Sequence, residues 1–382
     1  MECTIFLTEY CNLKCSYCYQ GIKKENTNIS ITNIENSLDY IIKNNINNEF
    51  IDLNFMGGEP LLKKDMIYKF IELINSKYKI YKHLFRYNIT TNCTLMDDKI
   101  IEFFKVNNFA LRLSIDGDKQ TNDLNRLSLN GQDYYDLIIK NIKKIIKLNI
   151  NYDIRMTVSN NTVNLLYKNI LYFYSMGIKN FCIGINYLSN WNSSTLDILD
   201  KQLDLIKDFY LDTLINKKMD ITIDLFDGKF ISIIVDRKPL FCAAGLKRQI
   251  TISSNGDLYP CSYVVNDNKW KIGNINTDLD TNTFYKSIKN SLSNDINCNN
   301  CSISFTCHGR KCGFLNYTQT GYVNKSSNNL CLIEKIIYAK NSKIIKTLYN
   351  YNNYKVLNIC NFINKKNISF NKKFKEIINN ND

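Results

Sequence analysis

The chain has 382 residues, 45% of them hydrophobic and 22% charged, the balance of an ordinary globular protein with length enough for one large or two modest domains. Met1 to Tyr10 carries neither a positive n-region nor an apolar h-region, and no apolar run approaches a membrane span, so a cytoplasmic location with no membrane partner is expected. In that reducing compartment fourteen cysteines point to metal rather than disulfides, and two histidines, His83 and His308, are too few for histidine-based metal or acid–base chemistry.

Thr4 to Glu9 reads as a strand running into Cys11-Asn12-Leu13-Lys14-Cys15-Ser16-Tyr17-Cys18, a C-x3-C-x2-C array. A 4Fe–4S cube needs a ligand on each iron. Three thiolates, with no fourth until Cys93, leave one iron open to bind something else. On spacing alone, a zinc site and a disulfide framework stand as alternatives. Ile31 to Ile46 has helical spacing and Phe50 to Met56 is strand-like. Helix, strand and helix follow over Met66 to Tyr78, Phe85 to Thr90 and Lys99 to Val106. Ala110 to Ile115 is a strand, Tyr134 to Leu148 a helix, Tyr152 to Val158 a strand, Leu165 to Met176 a helix and Phe181 to Ile185 a strand. A long helix covers Ser194 to Leu214. Six β–α units in about 215 residues predict an α/β fold, a parallel sheet with crossover helices forming a partial, TIM-like (β/α)6 barrel. Chemistry in such barrels sits at the carboxyl ends of the strands, where the cysteine loop lies.

Other loops at that end carry candidate partners. Gly57-Gly58-Glu59-Pro60 follows the second strand; glycines allow close backbone approach, and a plain tight turn is the alternative. Thr90-Thr91-Asn92-Cys93-Thr94-Leu95 follows the third. Ser114-Ile115-Asp116-Gly117 follows the fourth, with Arg126 in the polar loop beyond it; here the alternatives are a simple turn and a surface charge. From Cys242 the cysteines crowd: Cys242, Cys261, Cys298, Cys301, Cys307, Cys312 and Cys331, with Gly256 between the first two. A pair of zinc sites is the other reading of this run. Cys3, Cys182 and Cys360 belong to no motif and are expected to be packing residues. From Leu332 onward ten lysines face Glu334, Glu376 and Asp382, so over half of the +13 net charge sits in the tail. The tail is expected to be surface helix.

The amino-terminal array resembles the signature of the radical SAM enzymes, whose open iron chelates S-adenosylmethionine and delivers the electron that breaks its sulfonium C–S bond. The GGEP turn, the TNCTL segment (with Cys93 where glycine is usual) and SIDG are similar to further segments of that family. The resemblance implies that Cys11, Cys15 and Cys18 hold the first cluster and that Tyr17, Gly57, Gly58, Glu59, Ser114 and Arg126 contact the cofactor. The carboxy-terminal run resembles the SPASM extension. It departs in one gap, with four residues between Cys307 and Cys312 where three are usual. By that resemblance Cys298, Cys301, Cys307 and Cys331 saturate one auxiliary cube. Cys242, Cys261 and Cys312 hold another, whose fourth iron is open unless some other residue closes it.

The cofactors implied are S-adenosylmethionine and three 4Fe–4S clusters. The expected boundaries are a barrel over 1–230, a SPASM domain over 231–340 and a tail over 341–382. The resemblance implies a radical SAM peptide maturase that oxidatively modifies a side chain of a ribosomally made peptide or protein, for instance by a thioether cross-link. Its electron donor would be a flavodoxin or ferredoxin, acidic carriers that suit a basic surface. No leader-binding module precedes the barrel, so leader recognition would fall to a separate protein, the tail or the SPASM face; a nucleic-acid partner is not expected. One alternative is an anaerobic sulfatase-maturating enzyme making formylglycine, although Ser262 stands where those enzymes place a catalytic aspartate. Another is a non-catalytic iron–sulfur or zinc binding protein.

Overall fold

β1 (Glu2–Phe6) is buried from Cys3 onward, as a strand covered on both faces of a parallel sheet must be. The computed structural model describes residues 1–21, 27–237, 249–277, 279–295 and 298–379. Along the chain α1 (Ile31–Asn44), β2 (Ile51–Met56), α2 (Lys64–Asn75), β3 (Phe85–Thr91), α3 (Asp98–Val106), β4 (Ala110–Ser114), α4 (Lys119–Asn125) and α5 (Tyr135–Lys147) follow β1. Next come β5 (Tyr152–Val158), α6 (Leu166–Ser175), β6 (Asn180–Ile185), α7 (Ser193–Ile215), β7 (Thr222–Ile223) and α8 (Asp224–Ile234). The carboxy-terminal third contributes β8 (Gln249–Ile252), β9 (Asp257–Tyr259), β10 (Gly273–Asn274), α9 (Thr281–Asn290), α10 (His308–Lys311), α11 (Gly313–Thr320), α12 (Asn328–Asn350), α13 (Tyr354–Lys366) and α14 (Lys372–Asn379).

These elements form two units, each drawn from separate stretches. The first takes residues 1–115, 122–153 and 242–291, the second 116–121, 154–241 and 292–382. In the first, β1 pairs in parallel with β2, β2 with β3 and β3 with β4. β8 pairs in parallel with the other edge of β1, Glu2 opposite Gln249 and Ile5 opposite Ile252, and β9 and β10 continue antiparallel. Period-2 burial in β2 and β3 sends Ile51, Leu53, Phe55, Phe85, Tyr87 and Ile89 inward. Phe55 meets Phe70 edge-on at 5.3 Å and stacks on Phe109 at 6.0 Å, offset geometries that aromatic quadrupoles favour.

In the second unit β5, β6 and β7 pair in parallel. α7 opens with a reciprocal cap: the Asn192 side chain accepts from Thr195 N, and Thr195 Oγ1 accepts from Asn192 N, both at 2.9 Å. The tail differs from a surface helix. α12 buries Ile333, Ile337, Ile344, Ile345 and Leu348 on one face, and Val356, Cys360, Ile363 and Phe374 of α13 and α14 are buried as well. Spacings of three and four residues give a helix an apolar stripe even when lysines fill the rest of its surface. Lys340 itself is buried, bridging Asp200 and Asp204 of α7 at 2.8 and 2.6 Å. Cys3, Cys182 and Cys360 are buried, as expected of packing residues.

The sequence placed the first strand at Thr4 to Glu9, but it ends at Phe6. Beyond it Thr8 bridges to Asn28, and the chain turns into the cysteine loop. The α/β arrangement of parallel strands and crossover helices is otherwise the one the periodicities predicted. No described helix is long and apolar enough to cross a membrane.

Candidate active site

In the first unit the cysteine loop is held from two sides. Lys14 N donates to Leu127 O at 2.8 Å, Ser16 N to Asn125 O at 2.9 Å and Leu129 N to Asn12 O at 3.1 Å. Ser16 Oγ adds a bond of 2.7 Å to Asn125 Oδ1. On the other side Gly58 N donates to Thr8 O and Glu59 N to Tyr10 O, each at 2.9 Å. The glycines are there because of this pairing. A Cβ on Gly57 would stand 2.1 Å from Thr8 O, one on Gly58 would stand 2.0 Å from Tyr10 O, and Gly57 has φ +141°. The close approach foreseen for a ligand is made first by the chain itself.

Glu59 is 1% exposed. Its Oε1 accepts from Thr91 Oγ1 at 2.7 Å and Leu61 N at 3.0 Å, its Oε2 from Asn92 N at 2.8 Å. Burial pushes the carboxyl up to about 7 against the pull of those donors and of the Arg126 charge. The carboxylate thus ties the GGEP turn to the end of β3. From there Asn92 Nδ2 reaches Cys11 Sγ at 3.8 Å and Asn12 Oδ1 at 3.0 Å, and Leu13 N donates to Cys11 Sγ at 3.4 Å. Arg126 lies over the Tyr17 ring, 5.5 Å from its centroid, a cation–π distance. Cys93 has φ +65°, which accounts for glycine being usual at that position. Its thiol is fully buried, donates to Thr91 O at 3.6 Å, and burial pushes its pKa far up. Ser114 N donates toward it from the end of β4. Cys11, Cys15, Cys18, Tyr17, Gly57, Gly58, Glu59, Ser114 and Arg126 thereby belong to one connected set.

Cys261 is buried in the same unit. Two residues on, Tyr263 packs 5.0 Å from the ring of Tyr19, the residue after Cys18. Cys242 lies outside the described residues. In the second unit Cys331 sits in the first turn of α12. Burial raises its thiol, and Cys298 and Cys301 raise it further as like charges within electrostatic reach. Cys307 is pushed up to about 11 by burial, with Glu334 adding to it. The four residues between Cys307 and Cys312 form the single turn α10, which absorbs the extra residue, and Cys312 N donates to His308 O at 2.8 Å.

These donors fit iron–sulfur cubes. Cys11, Cys15 and Cys18 share one short loop, Cys11 receives two N–H···S bonds, and all three are thiols, the ligand type that holds such clusters. Sequence reasoning missed three residues that serve these sites. Asn92 reaches Cys11 from within TNCTL. Glu9 accepts from Ser254 Oγ at 3.3 Å and Asn266 Nδ2 at 3.2 Å. Glu334, three positions after Cys331 on a helix, was signalled by that spacing.

The family model of the Radical SAM superfamily matches residues 5–170, and that of the SPASM iron–sulfur cluster-binding domain matches 242–302. The chain is a radical SAM enzyme with a SPASM domain. Its cofactors are S-adenosylmethionine and iron–sulfur clusters, and the reading as a non-catalytic binding protein falls away. The chain is similar to the cysteine-type anaerobic sulfatase-maturating enzyme of Clostridium novyi (strain NT), 28% identical over 87% of this chain and 92% of the relative. It is also similar to the radical SAM cyclopropyl synthase TigE of Paramaledivibacter caminithermalis, 26% identical over 91% and 75%. The fold is shared with native anSMEcpe with bound AdoMet and Cp18Cys peptide, at TM-score 0.76 and 23% identity, covering 91% of this chain and 99% of that one.

Proposed function

We propose that this radical SAM enzyme is a maturase that oxidatively modifies a side chain of a ribosomally made peptide or protein, with a thioether cross-link as the expected product type. Bound at the cysteine loop, the first cluster and S-adenosylmethionine would supply radical chemistry able to remove hydrogen from an unactivated carbon. Cys11, Cys15 and Cys18 hold that cluster. Tyr17, the Gly57-Gly58 backbone, Ser114 and Arg126 orient the cofactor, and Glu59 keeps the turn in place from behind. Cys298, Cys301, Cys307 and Cys331 form one auxiliary ligand set, with Cys242, Cys261 and Cys312 the other, giving three clusters in all. Peptide-directed chemistry is what the names of the sulfatase-maturating relative and the peptide-bound anSMEcpe structure suggest for this chain. The barrel, SPASM and tail boundaries at 230 and 340, an electron donor of the flavodoxin or ferredoxin kind, leader recognition by a separate protein, the tail or the SPASM face, and a cytoplasmic location complete the reading.

The observation that carries cross-linking over formylglycine formation is Ser262. It follows Cys261 and opens a short 3-10 turn. A neutral hydroxyl there cannot take up a proton as a carboxylate does. Co-expression with a candidate cysteine-containing precursor tests the proposal by mass. Loss of two hydrogens with blocked alkylation of the thiol supports it; a thiol converted to an aldehyde establishes the sulfatase-maturating activity instead.

A further inference from the structure

Glu334 lies one helical turn beyond Cys331, and its carboxylate reaches the segment that carries Cys307. Oε2 accepts from His308 N at 2.6 Å and from Lys229 Nζ at 2.7 Å, and Oε1 accepts from Tyr187 Oη at 3.1 Å. Lys229 Nζ also donates to Thr306 O at 2.9 Å. The residues on both sides of Cys307 are therefore fastened to one ion pair. That pair is withdrawn from water, with side-chain exposures of 2% for Glu334 and 14% for Lys229. A buried ion pair is a poor source of stability, because desolvation offsets the attraction and apolar residues of equal volume serve as well. Its retention beside two cysteines calls for another role.

The charges themselves supply one. The potential of an iron–sulfur cluster depends on the net charge, hydrogen bonding and solvent around its sulfurs. Glu334 acts as a like charge on both Cys307 and Cys331, and Lys229 acts on Cys307 with the opposite sign. We propose that the Lys229–Glu334 pair sets the reduction potential of the auxiliary cluster on Cys298, Cys301, Cys307 and Cys331, Glu334 opposing an added electron and Lys229 favouring it. This rests on reading those cysteines as one ligand set. Removing either charge leaves the other acting alone. The two residues act through the segment that carries Cys307 and through their charge.

The experiment uses the full chain, prepared without oxygen and loaded with iron and sulfide, as wild type, Glu334→Gln and Lys229→Met. Iron content, thermal unfolding and an EPR-monitored redox titration are read on each. The expected result is equal iron in all three, with one auxiliary midpoint shifted upward in Glu334→Gln and downward in Lys229→Met while the other midpoints stay in place. A shift of the same sign in both variants, or no shift in either, overturns the inference and leaves a plain structural brace. Glu334→Gln keeps the shape, and its single amide oxygen can still accept from Lys229 Nζ and His308 N while its NH2 faces Tyr187 Oη, so its result decides the matter if Lys229→Met does not fold. A Cys331→Ala protein that keeps all the wild-type cluster signals would break the ligand assignment itself, an outcome distinct from unshifted midpoints, and would overturn the inference with it.

Discussion

Asn92 donates its side-chain amide to Cys11 Sγ at 3.8 Å while its carbonyl oxygen accepts from Thr94 N at 3.1 Å and Thr94 Oγ1 at 2.7 Å. Asn12 closes the circuit, accepting from Asn92 at 3.0 Å and donating to Thr94 Oγ1 at 2.8 Å. The first cysteine of the loop is thus aimed by a side chain eighty-one positions away in sequence. Partners that orient a metal ligand typically cost about 10- to 100-fold in metal affinity or activity when removed. Asn92→Ala is expected to lose 5′-deoxyadenosine formation by a factor in that range, with a parallel fall in iron bound per chain. Unchanged iron and turnover would show that Cys11 needs no such help.

Gly58→Ala places a methyl group 2.0 Å from the Tyr10 carbonyl oxygen. Backbone on both sides must separate to admit it, which breaks the Gly58–Thr8 and Glu59–Tyr10 bonds. A destabilisation on the order of 4 kcal/mol or more is expected, with loss of the first cluster. Chemical denaturation of the metal-free protein measures it. A change within about 0.5 kcal/mol, as at an ordinary surface site, would contradict the geometry.

Glu59 makes stability depend on pH. Its carboxyl rises from an ordinary 4.5 to about 7 on folding, through burial. The folded state then holds a proton that the unfolded state releases, so the contribution is complete below pH 4.5 and disappears as pH climbs through 7. The full effect is on the order of 3 kcal/mol. Denaturation of metal-free protein across that window is expected to show stability falling with pH, and Glu59→Gln is expected to flatten this part of the curve. Equal slopes for the two proteins would refute the assignment.

Phe374 is 1% exposed, edge-on to Tyr349 at 5.8 Å and stacked on Phe370 at 5.6 Å. Phe374→Ala is expected to cost about 3–5 kcal/mol of the second unit's stability, the usual result of hollowing a packed aromatic site. A solvated lysine-rich tail would lose almost nothing. The unfolding midpoint separates the two.

What could be read without coordinates was what the chain encodes locally. C-x3-C-x2-C, GGEP and SIDG are contiguous, and the alternation in Ile51 to Met56 and Phe85 to Thr91 lies within single strands. What escaped was set by partners far off in sequence. Nothing near Gly57 shows that Thr8 and Tyr10 lie against the turn, and nothing near Glu59 shows that Thr91 and Asn92 occupy its carboxylate. Leu332 to Asp382 looked like a solvated face because ten lysines mask the spacing of Ile333, Ile337, Ile344 and Leu348. α4 went unread because Asn, Asp and Thr are weak helix formers, and only its surroundings hold it.

The pairing of β8 with the outer edge of β1 orders events during synthesis. The strand that launches the cysteine loop gains its second neighbour only when residues 249–252, nearly two hundred and fifty positions later, have left the ribosome. Until then its bare edge is a template for pairing with other nascent chains. Such a distant closure makes for slow folding. An expression fragment stopped at residue 230 would keep that edge permanently and is expected to aggregate.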